Sequence, residues 1–267
     1  MHSHFFQILR NTGQYPIFSE DERYRLVSSL KFVDRVVEDA PYHIKAEILK
    51  DQNCGLCFSQ GSNNRNDYPE ESSQDLRCTL AKQAFEVSCQ DIIGRVIRMR
   101  TALHDGGWLY SPWHDTPFLA TSETFKLFSD GSKPKPGDKI VYTCGAFDFF
   151  NVGHLAFLEK AKSFGDYLIV GIYSDEIRDL IQAEGCHPVM SLYERALCAF
   201  AYKPVDEILL GAPRFIANDM LDRFKIDVVV RGSVTPESDQ ERFAVAKKRG
   251  ILRCWRLSVW LFLRERS

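Results

Sequence analysis

The chain has 267 residues, 45% of them hydrophobic and 26% charged, and a formal net charge of −2 at pH 7. That length and balance allow one large domain or two ordinary ones, each with a real core, and exclude a disordered or fibrous chain. A charge so near zero supplies no basic face for nucleic acid, and eight cysteines without regular spacing suit a reducing, intracellular setting.

The N-terminus, MHSHFFQILRNTG, lacks the basic region and apolar run of a secretory signal, and no window reaches the ~18 apolar residues of a spanning helix. A cytoplasmic protein is expected, with peripheral attachment to the endoplasmic reticulum as a further expectation. His2 and His4 read as part of a floppy terminus rather than as metal ligands. Pro16-Ile17-Phe18-Ser19-Glu20-Asp21-Glu22-Arg23 then returns as Pro188-Val189-Met190-Ser191-Leu192-Tyr193-Glu194-Arg195. Lys31, Val33, Asp34, Ala40 and Pro41 return as Lys203, Val205, Asp206, Ala212 and Pro213, always at an offset of 172. A period this long means two similar domains in tandem, since solenoid repeats are several times shorter. Cys54-Gly55-Leu56-Cys57 has the spacing of a metal site, but the repeat aligns it with Ile226-Asp227-Val228-Val229, a strand; no metal is expected there.

The expected division is 1–100 for the C-terminal part of a first domain, 101–138 for a linker, 139–250 for a second domain and 251–267 for an atypical apolar tail. At the repeat offset, the first-copy counterpart of residues 145–154 would precede Met1, so the first domain is expected to lack its front. In the second copy, Lys139–Cys144 reads as a strand, 154–162 as a helix by the spacing of Leu155, Phe157, Leu158 and Ala161, and Tyr167–Ile172 as a buried strand. Ser191 with Glu194 forms a capping box. Val205–Leu210, Phe215–Phe224 and Val228–Val230 continue the strand and helix alternation. The fold class is therefore α/β, with a parallel sheet covered by helices and any ligand at the carboxyl ends of the strands.

Between the first strand and its helix lies GAFDFFNVGH, residues 145–154. Gly145 can let the backbone turn sharply and a phosphate approach it, while a helix starting near Gly153 offers unpaired N–H groups and a positive dipole end. His154 can add a donor to a phosphate oxygen and, partly protonated, stabilise charge on a leaving phosphate. A plain helix start whose histidine bonds a local carbonyl fits the same residues.

GAFDFFNVGH is similar to the G-x-F-D-x-x-H-x-G-H signature of the cytidylyltransferases, and YERALCAFAYKPVDEILLGAP resembles their E-R-x-x-x-V-x-x-x-[KR]-[YW]-V-D-E-V segment. Two copies in tandem resemble the branch that acts on phosphoethanolamine. The resemblance implies tandem Rossmann-like nucleotidyltransferase domains and attack of phosphoethanolamine on the α-phosphate of CTP, with Mg2+ accompanying CTP. It places the backbones of Ala146 and Phe147 on the nucleotide, His154 on the triphosphate and Arg231-Gly232 by the cytosine or ribose. Arg195 would order the neighbouring loops, or else pair at the surface with Glu194 or the next helix.

The chain also departs from the family. Asn151 stands where the signature has its first histidine, which predicts a lost charged donor facing the phosphates. Gln182-Ala183-Glu184-Gly185 replaces a lysine-glycine loop, and in place of the Ser/Thr-rich closing segment the tail reads ILRCWRLSVWLFLRERS. Two functions stay open: a cytidylyltransferase of phosphatidylethanolamine synthesis, and a catalytically impaired nucleotide-binding pseudoenzyme or regulatory subunit. The implied partners are CTP, phosphoethanolamine, and a second copy or a full-length homologue.

Overall fold

The computed structural model describes residues 9–10, 13, 15–41, 46–60, 77–81, 91–97, 133–174, 188–213, 215–232 and 241–255. The loop at 182–185, the segment 82–90 and the tail from 256 lie outside them. The chain divides into two compact units, Met1–Ser28 with Arg35–Asp91, and Ser29–Asp34 with Ile92–Ser267.

In the first unit, helix α1 (Glu20–Ser28) follows Ser19, whose backbone N–H reaches Glu22 Oε2 at 2.8 Å. Helix α2 (Ala46–Asp51) leads into strand β1 (Leu56–Gln60), which pairs in parallel with β2 (Arg77–Ala81). Cys57 is buried in β1 while Leu56 and Phe58 are exposed. Cys57 thus acts as a core side chain, and no group of three potential metal ligands exists among the described residues.

The second unit carries a five-stranded parallel sheet in the order β5-β4-β3-β6-β7. Its strands are β3 (Ile140–Gly145), β4 (Tyr167–Tyr173), β5 (Glu207–Ala212), β6 (Val228–Gly232) and β7 (Leu252–Trp255). Residues 91–97 form helix α3; α4 (Val152–Lys162), α5 (Leu192–Phe200), α6 (Asn218–Arg223) and α7 (Ala244–Lys248) connect or flank the strands. All seven β4 residues are buried, as expected of a strand covered on both faces. Leu221 of α6 and Phe243 and Ala246 around α7 pack with Ile140, Tyr142, Ile169 and Val229 into one core cluster. Val141, Leu168 and Val170 alternate with these and point to the other face, where α4 buries Leu155, Leu158 and Ala161.

Aspartates finish the lower edge of this sheet. Asp166, Asp206 and Asp227 accept the N–H groups of Lys139, Leu168 and Ile140, each at the start of a neighbouring strand. Those donors would otherwise be orphaned. Gly171 is required by close approach: a Cβ there would stand 2.4 Å from Tyr142 Oη and 2.7 Å from the Ala212 Cβ. Residues 29–31 form a short antiparallel exchange with 201–203, Lys31 N–H donating to Ala201 O at 2.8 Å and Lys203 N–H to Ser29 O at 2.9 Å. Lys31 and Lys203 are equivalent in the repeat, so like segments clasp each other symmetrically.

One boundary expected from sequence is corrected. Leu252–Trp255 lies beyond the expected domain end at 250 yet pairs with β6 from Val229 to Gly232, so the sheet continues into the expected tail. Leu, Arg, Cys and Trp show no clean alternation of apolar and polar residues, so pairing with β6 rather than local pattern makes this a strand.

Candidate nucleotide site

Strands β3 and β6 are neighbours in the sheet, yet the chain leaves β3 towards β4 and β5 before returning to β6. This is the switch point at which open α/β sheets bind ligands. The loop from β3 to α4 lies there, and its geometry differs from the simple picture of a glycine turn. Gly145 does not adopt positive φ; Phe147 (φ 52°) and Phe149 (φ 45°) do. Left-handed backbone at two phenylalanines is strained and persists only when surroundings enforce it. Gly145 is needed instead for space, because a Cβ there would stand 3.0 Å from the Phe147 ring.

Three groups enforce the turn. Arg195, with no exposed surface, donates from Nη1 to Ala146 O at 2.7 Å, from Nη2 to Tyr173 O at 2.9 Å and from Nε to Met190 O at 3.0 Å. It therefore joins the β3 turn, the end of β4 and the start of α5 rather than lying at the surface, and Glu194 pairs instead with Arg95 at 2.9 Å. Asp148 accepts Val189 N–H at 2.8 Å on one oxygen and Met190 N–H at 3.0 Å on the other. Asn151 is the third: it caps α4, its Oδ1 accepting Gly153 N–H at 2.9 Å and His154 N–H at 3.3 Å while its Nδ2 donates to Phe149 O at 3.1 Å.

Two sequence expectations change as a result. The helix N–H groups of Gly153 and His154 are occupied by the Asn151 amide rather than unpaired, and Asn151 is a helix cap bound to its own loop. The physical reason is local: an asparagine one position before a helix satisfies the orphan donors of the first turn. His154 differs too. Its ring lies 5.6 Å from the rings of both Phe147 and Phe150, and its Nδ1 is buried without a hydrogen-bond partner among the described residues. Burial lowers its pKa from the ordinary 6.5, against a weaker upward pull from Asp148, which disfavours the protonated form in the free protein.

On β6, the Arg231 guanidinium sits 5.9 Å from the Phe243 ring centroid, with Nε buried and unpartnered among the described residues. Gly232 has open space where a Cβ would be. The structure thus brings Gly145, Ala146, Phe147, Asn151, Gly153, His154 and Arg195 into one turn, while the Arg231 side chain follows Val229 to the α7 side of the sheet. Sequence reasoning missed Asp148 and Arg95. Asp148 was visible as an acid inside the turn, but its partners are 41 and 42 residues away; Arg95 has no signal at all, being 99 residues from Glu194.

The family model described as Cytidylyltransferase-like matches residues 7–102 and 142–252. The ethanolamine-phosphate cytidylyltransferase of Dictyostelium discoideum is 32% identical over 92% of this chain and 74% of its own length. That of Mus musculus is 30% identical over 92% and 71%, and that of Arabidopsis thaliana is 32% identical over 87% and 62%. Sheet, turn and matches together lead to one conclusion: the chain belongs to the cytidylyltransferase-like family, beside the ethanolamine-phosphate cytidylyltransferases.

Proposed function

We propose that the second unit binds CTP over the turn at 145–154 and that the protein forms CDP-ethanolamine from CTP and phosphoethanolamine in phosphatidylethanolamine synthesis. The observation that carries this reading is His154, enclosed by Phe147 and Phe150 with its Nδ1 unpartnered among the described residues, set at the sheet's switch point in a turn that Arg195 and Asp148 anchor. A phosphate oxygen of phosphoethanolamine attacks the α-phosphorus of CTP, the bond to the bridging oxygen breaks, and pyrophosphate leaves. No covalent enzyme intermediate is required, so positioning and charge stabilisation supply the catalysis. His154 contributes an N–H to the phosphates, and their negative charge raises its proton affinity, so binding draws in a proton.

Magnesium fits this site only as a companion of the nucleotide. Both Asp148 oxygens are engaged by backbone N–H groups, and no carboxylate cluster exists among the described residues. When bound it would neutralise phosphate charge. No helix among the described residues is long and apolar enough to cross a membrane, and we place the protein in the cytoplasm, in contact with the endoplasmic reticulum through its products.

Asn151 favours a second reading, a nucleotide-binding member with little turnover, because its side chain fills the helix donors that a transition state would use. Calorimetry with CTP on the full chain, followed by CDP-ethanolamine formation from labelled phosphoethanolamine, separates the two. Binding that His154→Ala weakens, with product formed, supports the transferase. Binding without product supports the second reading, and no binding at millimolar CTP overturns both.

A further inference from the structure

A cavity of about 200 Å³ lies on the α7 side of the sheet, lined by Arg231, Phe243, Lys247, Gly250, Leu252 and Cys254. Its residues come from β6, β7 and the segment 243–250 that carries α7, whereas His154 and α4 belong to the β3 turn and the opposite face. The lining has two cations and no acid. Neither the Arg231 nor the Lys247 side chain has a hydrogen bond or ion pair among the described residues, and Arg231 Nε is buried. Part of the Arg231 guanidinium, its Nε, is thus buried with no counter-charge beside it among the described residues, and an anion would offset that cost. Phe243 and Leu252 give it an apolar wall. The volume is below the ~300 Å³ low end of pockets for drug-sized ligands, too small for a nucleoside triphosphate.

We propose that this cavity is a phosphate-monoester site, in which Arg231 and Lys247 hold the phosphoryl dianion and a short organic arm lies along Phe243 and Leu252. Two unit charges of one sign match a dianion, and a guanidinium fork with an ammonium is a suitable donor set for its oxygens. Arg231 then reads a phosphate on the α7 side rather than the cytosine or ribose. The choice of phosphoethanolamine as the first ester to try rests on the proposed function; the cavity chemistry does not.

The test is calorimetric titration of the full chain with O-phosphoethanolamine, glycerol 3-phosphate, inorganic phosphate and ethanolamine, each repeated on Lys247→Met and Lys247→Arg. Lys247 is exposed, so both variants should keep the fold. The expected result is saturable binding of an ester, tighter than inorganic phosphate, and no binding of ethanolamine. Lys247→Met should weaken the ester about tenfold or more, the size of one lost charge-assisted hydrogen bond. Lys247→Arg should retain it, and CTP affinity should not change in either. The proposal is overturned by an absence of ester binding at millimolar concentration, by unchanged affinity in Lys247→Met, by inorganic phosphate binding as well as the esters, or by CTP displacing the ester competitively. Loss of CTP binding with Lys247-dependent ester binding intact would instead remove the nucleotide reading and leave this site standing.

Discussion

Asn151 connects stability and ligand binding with opposite signs. Its Oδ1 accepts two N–H groups of the first α4 turn, at 2.9 and 3.3 Å; only the shorter is near ideal length, so the cap should contribute ~1 kcal/mol within the usual ~0.5–2 kcal/mol range. Asn151→Ala should lower the melting temperature of the second unit by ~2–4 °C. If triphosphate uses those same donors, CTP has to displace the amide in the natural chain, and removing it should tighten CTP about fivefold, the same ~1 kcal/mol read as affinity. Asn151→Asp should act in reverse: the carboxylate keeps the cap and favours the helix dipole, so stability holds or rises while a like charge weakens CTP. Asn151→His offers at most one acceptor in place of two and should melt earlier, whatever its imidazole adds to turnover. Thermal melts and CTP titrations on the three variants decide the matter. If Asn151→Ala melts earlier and binds CTP no better, the phosphates do not reach the helix N-terminus and the reasoning fails.

Arg195→Met should cost ~3–5 kcal/mol, because three carbonyls, one buried and two partly buried, lose a charged donor at once; denaturant melts that shift by less than 1 kcal/mol would show that the anchoring is dispensable. Gly171→Ala should cost ~1–3 kcal/mol by overpacking against Tyr142 Oη, and adding Tyr142→Phe should recover part of that loss; no recovery would place the clash elsewhere. The depressed pKa of His154 contributes stability that is complete above about 6.5 and is lost as pH falls from there through the lower folded value, since the unfolded chain takes the proton first. His154→Gln should flatten that acid-side loss in pH-dependent melts, and an unchanged slope would assign it to other groups.

The order of strands and helices in the second unit was written in its apolar runs. Tyr167–Tyr173 has no polar side chain between its tyrosines, and such a run can only be a strand covered on both sides. The Ser191 capping box was legible for a similar reason, since both partners lie within one turn. The turn at 145–154 was legible as a location and illegible as a mechanism. Its bend is made by Phe147 and Phe149, and no local preference predicts left-handed phenylalanines; they are held there by Arg195 and Asp148 acting across 49 and 41 residues. Burial of His154 between two aromatic rings, the buried unpartnered Arg231 Nε and the extra strand at Leu252–Trp255 likewise depend on what packs alongside. Periodicity and caps act within a few residues and are readable in order along the chain, whereas desolvation and long-range hydrogen bonds exist only once distant segments meet.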